Sequence, residues 1–347
     1  MRILFSVSCT EALNPFVKTL NAAIAAEDPT IEFVFEPSFI WTESVYTFDI
    51  LHIMWPEFLV GENHTANDLK DRLLKIKDKG VRIVSTCHNI VPHYCNNSDK
   101  HEAIRICYAL SDVIHHMGAV SLNELVKAYP NVRHELIPHH IYDNLYRKPV
   151  SKGESCKRLE LSSRCHYILA LGAIRDSEEK ELLDYVAKKL KRGVKIIAPS
   201  FLMDPGRRTD IIRRFKYYRD KYFKYHNRLI CNIGTISDQD LPLYMAVSEI
   251  SLIHRKRILN SGNVTLGMYA GNVIIGPCTG NVGRILEETG NYTFSTQEEI
   301  PELIENALKA SEDGKGICNR RYASANWSSS KIAKLVLKSY RSLIVQK

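Results

Sequence analysis

The 347-residue sequence has no CxxC pair, no GxGxxG glycine fingerprint, no unbroken run of about eighteen apolar residues and no low-complexity tract. Each absence excludes something. Nine cysteines scattered without a spacing framework do not make a disulfide-stapled scaffold and suit a reducing cytoplasm. Without a long apolar run there is no candidate transmembrane helix, and "MRILFSVSC" reads as a first strand rather than a signal peptide. The missing glycine fingerprint removes support for a Rossmann dinucleotide site.

Metal chemistry is also poorly provided for. The thirteen histidines include two adjacent pairs, His115–His116 and His139–His140. Sequence neighbours point to opposite faces of a strand, so neither pair is a natural clamp, and no metal or other cofactor is expected. The formal net charge of +8 is too small to argue for a nucleic-acid partner. It is compatible with anionic small molecules or an anionic membrane surface.

What is present is ample core material. Hydrophobic content of 45% and charged content of 25% are those of a globular protein, and the length implies two domains. Strand-like runs recur as "RILFSV", "FDILHIMW", "VRIVSTC", "DVIHH", "YILALGA", "VKIIAPS", "RLICNIG", "EISLIH" and "NVIIGP". Helical spacing marks "NPFVKTLNAAIAA", "TANDLKDRLLKIKDK" and "SEEKELLDYVAKKLK". Apolar strands alternating with amphipathic helices predict α/β domains with parallel sheets covered on both faces. The series occurs twice. The first ends near Tyr146, the polar stretch 147–165 has the composition of a linker, and a second series starts at Tyr167.

We therefore expect an N-terminal domain over 1–150, a second over 151–325, and a terminal helix over 326–347 capped by Ser328 or Ser329. Two doubly wound, Rossmann-like domains in series predict a cleft between the carboxyl ends of their sheets, where ligands bind. The alternative is two independent domains without a shared site.

Several segments place polar groups at such strand ends. In "STCHNIVPH", His88, Asn89 and His93 follow a strand that starts at Val81; they are either a site or a turn that caps its own loop. In "DILHIMWPE", Trp55 offers an aromatic face to a sugar or base and Glu57 an acceptor for hydroxyls; the plainer reading of Trp55 is packing. Asn14 and Pro15 suit the cap and first turn of a helix, whose start forms an anion site.

"LGAIRDSEEKELL" repeats this strand-to-helix junction. Arg175 could clamp a diphosphate bidentately, or Asp176, Glu178 and Glu179 could simply pair with it. Further on, Ser237 and Asp240 have capping-box spacing. In "ILNSGNVTLGMYAGNVIIGP", Ser261, Gly262 and Asn263 offer a hydroxyl, close backbone approach and an amide at a helix start, approached by Arg255, Lys256 and Arg257. "TGNVG", Thr279 to Gly283, repeats the device after the next strand.

Last, the basic stretch 206–228 carries Ile211, Phe215, Tyr218, Tyr222 and Tyr225 as a helical stripe, with Arg213, Arg214, Lys216, Lys221 and Lys224 largely off it. Packing of the stripe on the second sheet is the expectation. A basic amphipathic helix resting on anionic lipid is the alternative.

Taken in order, "DILHIMWPE", "TCHNIVPH", "HELIPHHIYDNLY", "LALGAIRDSEEK" and "LNSGNVTLGMYAGNVIIGP" resemble the GT-B nucleotide-sugar glycosyltransferases, nearest the retaining family 4 enzymes of bacterial surface-polysaccharide synthesis. The resemblance spans most of the chain. It implies an acceptor side in the first domain, a donor site in the second, and a final helix crossing back to the first. His88 matches a histidine near the transferred sugar. Arg175, with Lys180 as the nearest substitute for the usual lysine, lies in the segment that grips the donor diphosphate. Asn260, Ser261, Gly262 and Asn263 fall in or beside the donor loop. The acceptor side is implied in the first domain, where Asn14, Trp55, Glu57, Asn89 and His93 are the candidate contacts.

The chain departs from the family pattern where two glutamates are usual, having Ile258 and Leu266, and where paired glycines are usual, having Asn14 and Pro15. The implied activity is transfer of a sugar, hexosyltransferase-like and retaining, from a nucleotide-sugar donor to a saccharide or lipid-linked saccharide acceptor. It needs no metal, and the protein would be cytoplasmic or peripheral at the inner face of the membrane. Two alternatives stand beside it: a sugar-nucleotide epimerase, for which no convincing carboxylate pair is evident, and a noncatalytic partner, which the missing glutamates favour.

Overall fold

The computed structural model describes residues 1–8, 14–92, 97–146, 150–202, 210–212, 214–215, 218, 229–233 and 236–344. They form two units, Met1–Leu145 with Trp327–Lys347, and Tyr146–Asn326.

The first unit is built on strands β1 (Arg2–Phe5), β2 (Glu32–Phe35), β3 (Ile50–Ile53), β4 (Arg82–Cys87), β5 (Val113–His116) and β6 (Arg133–Leu136). All pair in parallel, in the order β2-β1-β3-β4-β5-β6. Alternation along each strand sends side chains to both faces. Ile3, Phe5, Ile50 and Val84 join α1 (Pro15–Glu27), while Leu4, Leu51 and Ile83 join α2 (Ala66–Asp78) and α3 (Ser98–Leu110). Helix α4 (Ala119–Ala128) leads from β5 to β6.

The second unit contains β7 (His166–Leu169), β8 (Val194–Leu202), β9 (Leu229–Ile233), β10 (Ile250–Leu252), β11 (Val273–Pro277) and β12 (Tyr292–Phe294), all parallel, in the order β12-β11-β10-β7-β8-β9. Its helices are α5 (Lys152–Arg158), α6 (Ser177–Lys189), α7 (Leu241–Val247), α8 (Gly262–Ala270), α9 (Gly280–Glu288), α10 (Ile300–Glu312) and α11 (Lys315–Trp327). Each unit is thus doubly wound: the second has the Rossmann strand order, and the first begins with the flavodoxin-like one. The chain has the α/β class, two parallel-sheet domains in one polypeptide.

The strands not evident in the sequence are β2, β6 and β12, all sheet edges. An edge strand buries fewer side chains, so its apolar signal is weak; β6 reads "RHEL".

The expected linker at 147–165 is a correction. Residues 147–149 lie outside the described residues, but α5 is a capped helix of the second unit. The Ser151 hydroxyl accepts from the Glu154 amide at 3.2 Å, Ser155 and Cys156 are buried, and Lys152 pairs with Glu249. The segment escaped notice because the buried face of α5 consists of two small side chains.

The expected packing of the basic stripe on the second sheet is also corrected for the residues described. Ile211 and Phe215 are 76% and 67% exposed, and Ile212 and Tyr218 are exposed too. One face of the sheet is already filled by α6 and α10, through Leu182, Val186, Ile300 and Ile304. Tyr222, Tyr225, Arg213, Lys216, Lys221 and Lys224 lie outside the described residues. No helix among the described residues is long and apolar enough to cross a membrane.

Helix α12 (Ser329–Ile344) belongs to the first unit and packs along α1. Its start is held by the Ser328 hydroxyl, which accepts from the Lys331 amide at 3.3 Å, and by Asp143, which accepts from the Ser329 amide at 3.2 Å. Its buried face carries polar groups. The Tyr340 hydroxyl bonds His52 Nδ1, whose Nε2 meets Thr86 Oγ1 at 2.7 Å, and Ser339 Oγ meets His115 Nε2 at 2.8 Å. Removing the Tyr340 hydroxyl strands a ring nitrogen of a fully buried histidine. Tyr340→Phe is therefore expected to cost about 1–3 kcal/mol, seen as a lower Tm of the first unit. An unchanged Tm would show that His52 does not depend on this partner.

Candidate functional site

In a doubly wound sheet the ligand crevice opens where the strand order reverses, at the carboxyl ends of the strands. In the second unit that point lies between β7 and β10. Three side chains lock the loop after β7. Asn263 Nδ2 donates to the Leu171 carbonyl at 2.7 Å, Arg255 Nη2 to the Ala173 carbonyl at 3.2 Å, and the Arg175 amide donates to Glu179 Oε2 at 2.9 Å. Gly172, between them, has φ +119°, a conformation that a Cβ makes costly.

Glu179 is 3% exposed, and its other oxygen receives Arg255 Nε at 2.5 Å. A buried carboxylate is tolerated only when paired and hydrogen-bonded, and both conditions are met here. The sequence offered Asp176, Glu178 and Glu179 as partners for Arg175. Glu179 takes the Arg255 side chain together with the backbone amide of Arg175. Glu178 lies 3.4 Å from Lys256 and 3.4 Å from Arg257, and Asp176 caps α6 by accepting from the Glu179 amide at 2.9 Å. The Arg175 side chain is exposed; Lys180, in the first turn of α6, is half-buried.

His254, next to Arg255, was missed from the sequence. It is 3% exposed, and neither ring nitrogen makes a hydrogen bond of normal geometry; Glu179 Oε2 is 3.8 Å from Nε2. Burial pushes it down to about 4, with Glu179 opposing and Arg255 adding to the shift. The signal available was a histidine just beyond the carboxyl end of a buried strand.

The donor-loop candidates start α8. Ser261 Oγ caps it by accepting from the Asn263 amide at 3.3 Å, and Gly262 is its first residue. Asn260 Oδ1 accepts from Asn281 Nδ2 at 2.8 Å. The side-chain amides of Asn260 and Asn263 thus help to tie the loop to its own domain. Ile258 and Leu266 are buried core residues.

"TGNVG" is not a second open anion device. The amides of Asn281 and Val282 both donate to the Leu259 carbonyl, at 2.8 and 3.3 Å, and Thr279 Oγ1 donates to the Lys256 carbonyl at 2.7 Å. The start of α9 is consumed in clasping the loop that leads to α8. The Ser237–Asp240 pair does form, with Ser237 Oγ donating to Asp240 Oδ2 at 2.8 Å, in the turn just before α7.

In the first unit, β3 and β4 bring the candidate acceptor residues together. The His88 ring stacks on Trp55 with centroids 4.5 Å apart and meets the edge of Phe16 at 5.2 Å. Desolvation pushes His88 down to about 3, so it is a neutral imidazole at physiological pH. Glu57 is buried, its carboxyl raised by desolvation, and it hydrogen-bonds the Asn89 side chain; the Asn89 carbonyl accepts from the Tyr108 hydroxyl at 2.6 Å. Asn14 caps α1, accepting from the Phe16 amide at 2.9 Å. His93 lies outside the described residues.

The adjacent histidines diverge, His115 to Ser339 and His116 to His134. Among the described residues no group of three or more His, Cys, Asp or Glu side chains is arranged to hold a metal ion.

No protein-family model and no curated protein matches the sequence. Solved structures do match along the whole length. Sucrose-phosphate synthase from Thermosynechococcus elongatus is 15% identical with a TM-score of 0.75, over 100% of this chain and 99% of that one. HepE from Anabaena, in complex with UDP-glucose, is 13% identical with a TM-score of 0.71, over 99% and 100%. A putative UDP-N-acetylglucosamine 2-epimerase from Listeria monocytogenes is 11% identical with a TM-score of 0.63, over 100% and 97%. At such identities the likeness is one of fold. The class defined here is therefore the GT-B fold, shared by glycosyltransferases and sugar-nucleotide enzymes.

Proposed function

We propose that the protein is a glycosyltransferase. It moves a sugar, with retention of configuration, from a nucleotide-sugar donor to a saccharide or lipid-linked saccharide acceptor, in the manner of family 4 enzymes of surface-polysaccharide synthesis. The observation that carries this is the set of charged side chains that follow β7 and β10, at the strand-order reversal. There Arg175, Lys180, Arg255, Lys256 and Arg257 outnumber the acids Asp176, Glu178 and Glu179 beside the start of α8. In HepE the same fold binds UDP-glucose.

The donor diphosphate is held by these cations and by the dipole of α8, which together stabilise the charge on the departing diphosphate without calling on a metal. Ser261, Gly262 and Asn263 add neutral contacts to the donor. In the first domain Trp55 and Asn89 orient the acceptor, Glu57 fixes Asn89, and neutral His88 lies near the transferred sugar. Positioning of the acceptor hydroxyl supplies much of the acceleration. The exposed Ile211, Ile212 and Phe215 beside Arg214 suit peripheral contact with anionic lipid, which brings a lipid-linked acceptor within reach.

The epimerase reading needs a free acid/base carboxylate. The buried carboxylate of this crevice, Glu179, is occupied on both oxygens. The experiment is product formation with a panel of nucleotide sugars and oligosaccharide or polyprenyl-linked acceptors, following release of the nucleoside diphosphate. His88→Ala is expected to lower turnover roughly tenfold or more through lost positioning, with little change in Tm. Diphosphate binding without turnover on any acceptor would favour the noncatalytic partner. Normal specific activity in His88→Ala would make His88 structural.

A further inference from the structure

The crevice of the second unit contains a cation better prepared for a diphosphate than the exposed Arg175. Arg255 follows β10, and its side chain is only 15% exposed. Two of the donors in its five-fold fork are committed, Nε to Glu179 and one on Nη2 to the Ala173 carbonyl. No described residue engages Nη1. The guanidinium is therefore held along one edge while the other keeps its donors.

A planar fork fixed in this way loses little conformational entropy on binding and matches two oxygens of a phosphate group. Glu179 is the reason it is fixed. Its second oxygen takes the Arg175 amide, so one carboxylate joins the loop after β7 to the residue after β10, the two strands that flank the reversal. His254 is buried against this pair, its Nε2 3.8 Å from Glu179 Oε2, so an imidazole packs beside the carboxylate that holds Arg255. A salt bridge needed only for stability would not require a guanidinium edge left open.

We propose that Arg255 grips the donor diphosphate through its Nη1 edge and that Glu179 is the positioning residue that aims it. This rests on the nucleotide-sugar reading above and names the residues that execute it. Arg255→Lys keeps the charge and loses the fork. Glu179→Gln keeps the shape and loses the counter-charge.

The test is calorimetric titration of the full chain with UDP, ADP, GDP and dTDP, with the parent nucleosides, and with inorganic pyrophosphate. For whichever diphosphate the unaltered protein binds, Arg255→Lys is expected to weaken binding at least about tenfold, while affinity for the corresponding nucleoside and the Tm stay near wild type. Glu179→Gln is expected to weaken the diphosphate less, and the double variant to be no weaker than Arg255→Lys alone, because Glu179 acts through Arg255. Equal loss of nucleoside and diphosphate, unchanged diphosphate affinity in Arg255→Lys, or additive losses in the double variant would overturn the assignment and leave the nucleotide-sugar reading standing. Failure of the unaltered protein to bind any of the diphosphates or pyrophosphate would overturn both.

Discussion

Acidification from pH 7 to pH 5 is expected to unfold the first unit before the second. Burial pushes His88, His115 and His139 down to about 3 and His116 to about 4, and lowers His52 and His140. In the unfolded chain these groups return to the ordinary value near 6.5. Between the two values the unfolded chain binds more protons, so stability is whole above about pH 6.5 and is lost as the pH falls toward the folded values. A histidine held at about 3 forfeits roughly 2 kcal/mol by pH 5. Three such groups together approach the roughly 5–15 kcal/mol that keeps a domain folded. The second unit has one comparable group, His254, among its described residues.

Trp41, Trp55 and Trp327 are the only tryptophans, and all three lie in the first unit. Tryptophan emission therefore reports that unit, while far-ultraviolet circular dichroism reports both. A red shift of the emission near pH 5, ahead of the loss of much of the helical signal, is the expected result. An emission midpoint below pH 4 would mean that these imidazoles are not held neutral by burial.

Gly283→Ala is expected to have a large effect on the second unit. A Cβ at this position would lie 2.3 Å from the carbonyl carbon of Cys278 and 2.4 Å from its oxygen. Those are backbone atoms at the end of β11 and cannot rotate away, so α9 must move. Gly280, three residues earlier, already has φ +60°, and a Cβ there would meet the Ile258 carbonyl oxygen at 2.3 Å. Moving α9 breaks the bonds from Asn281 and Val282 to the Leu259 carbonyl, which hold the loop into α8. Overpacking of this kind costs about 1–3 kcal/mol and, against immobile backbone, more. A loss of roughly 3 kcal/mol in a domain of this size lowers Tm by roughly 6–12 °C. In calorimetry the second unit should melt early while the tryptophan-detected transition of the first is unmoved. A second-unit Tm within about 2 °C of wild type would show that the turn has room for a methyl group.

These expectations separate what was legible from what was not. The alternation of strands and helices was plain in the chain, because a strand covered on both faces must be apolar throughout and its helices must be amphipathic. "VRIVSTC" and "SEEKELLDYVAKK" announce β4 and α6 directly. Local hydrogen-bonding chemistry was equally plain: Asn14 and Ser328 cap the helices that follow them. A cap depends only on residues within a turn of it.

What needed the tertiary structure was every pairing between residues distant in sequence. The sequence set Glu179 beside Arg175, four positions away. The fold brought its side chain to Arg255 as well, 76 positions away, because β7 and β10 are neighbours in the sheet. The adjacency of β10 and β11 turned "TGNVG" from an anion site into a clasp, since the Leu259 carbonyl reaches those amides first. It also made α5 part of a domain although its composition is that of a linker. Periodicity and caps are written into consecutive residues. Which charge meets which is decided by strand order, and strand order is a property of the whole buried sheet.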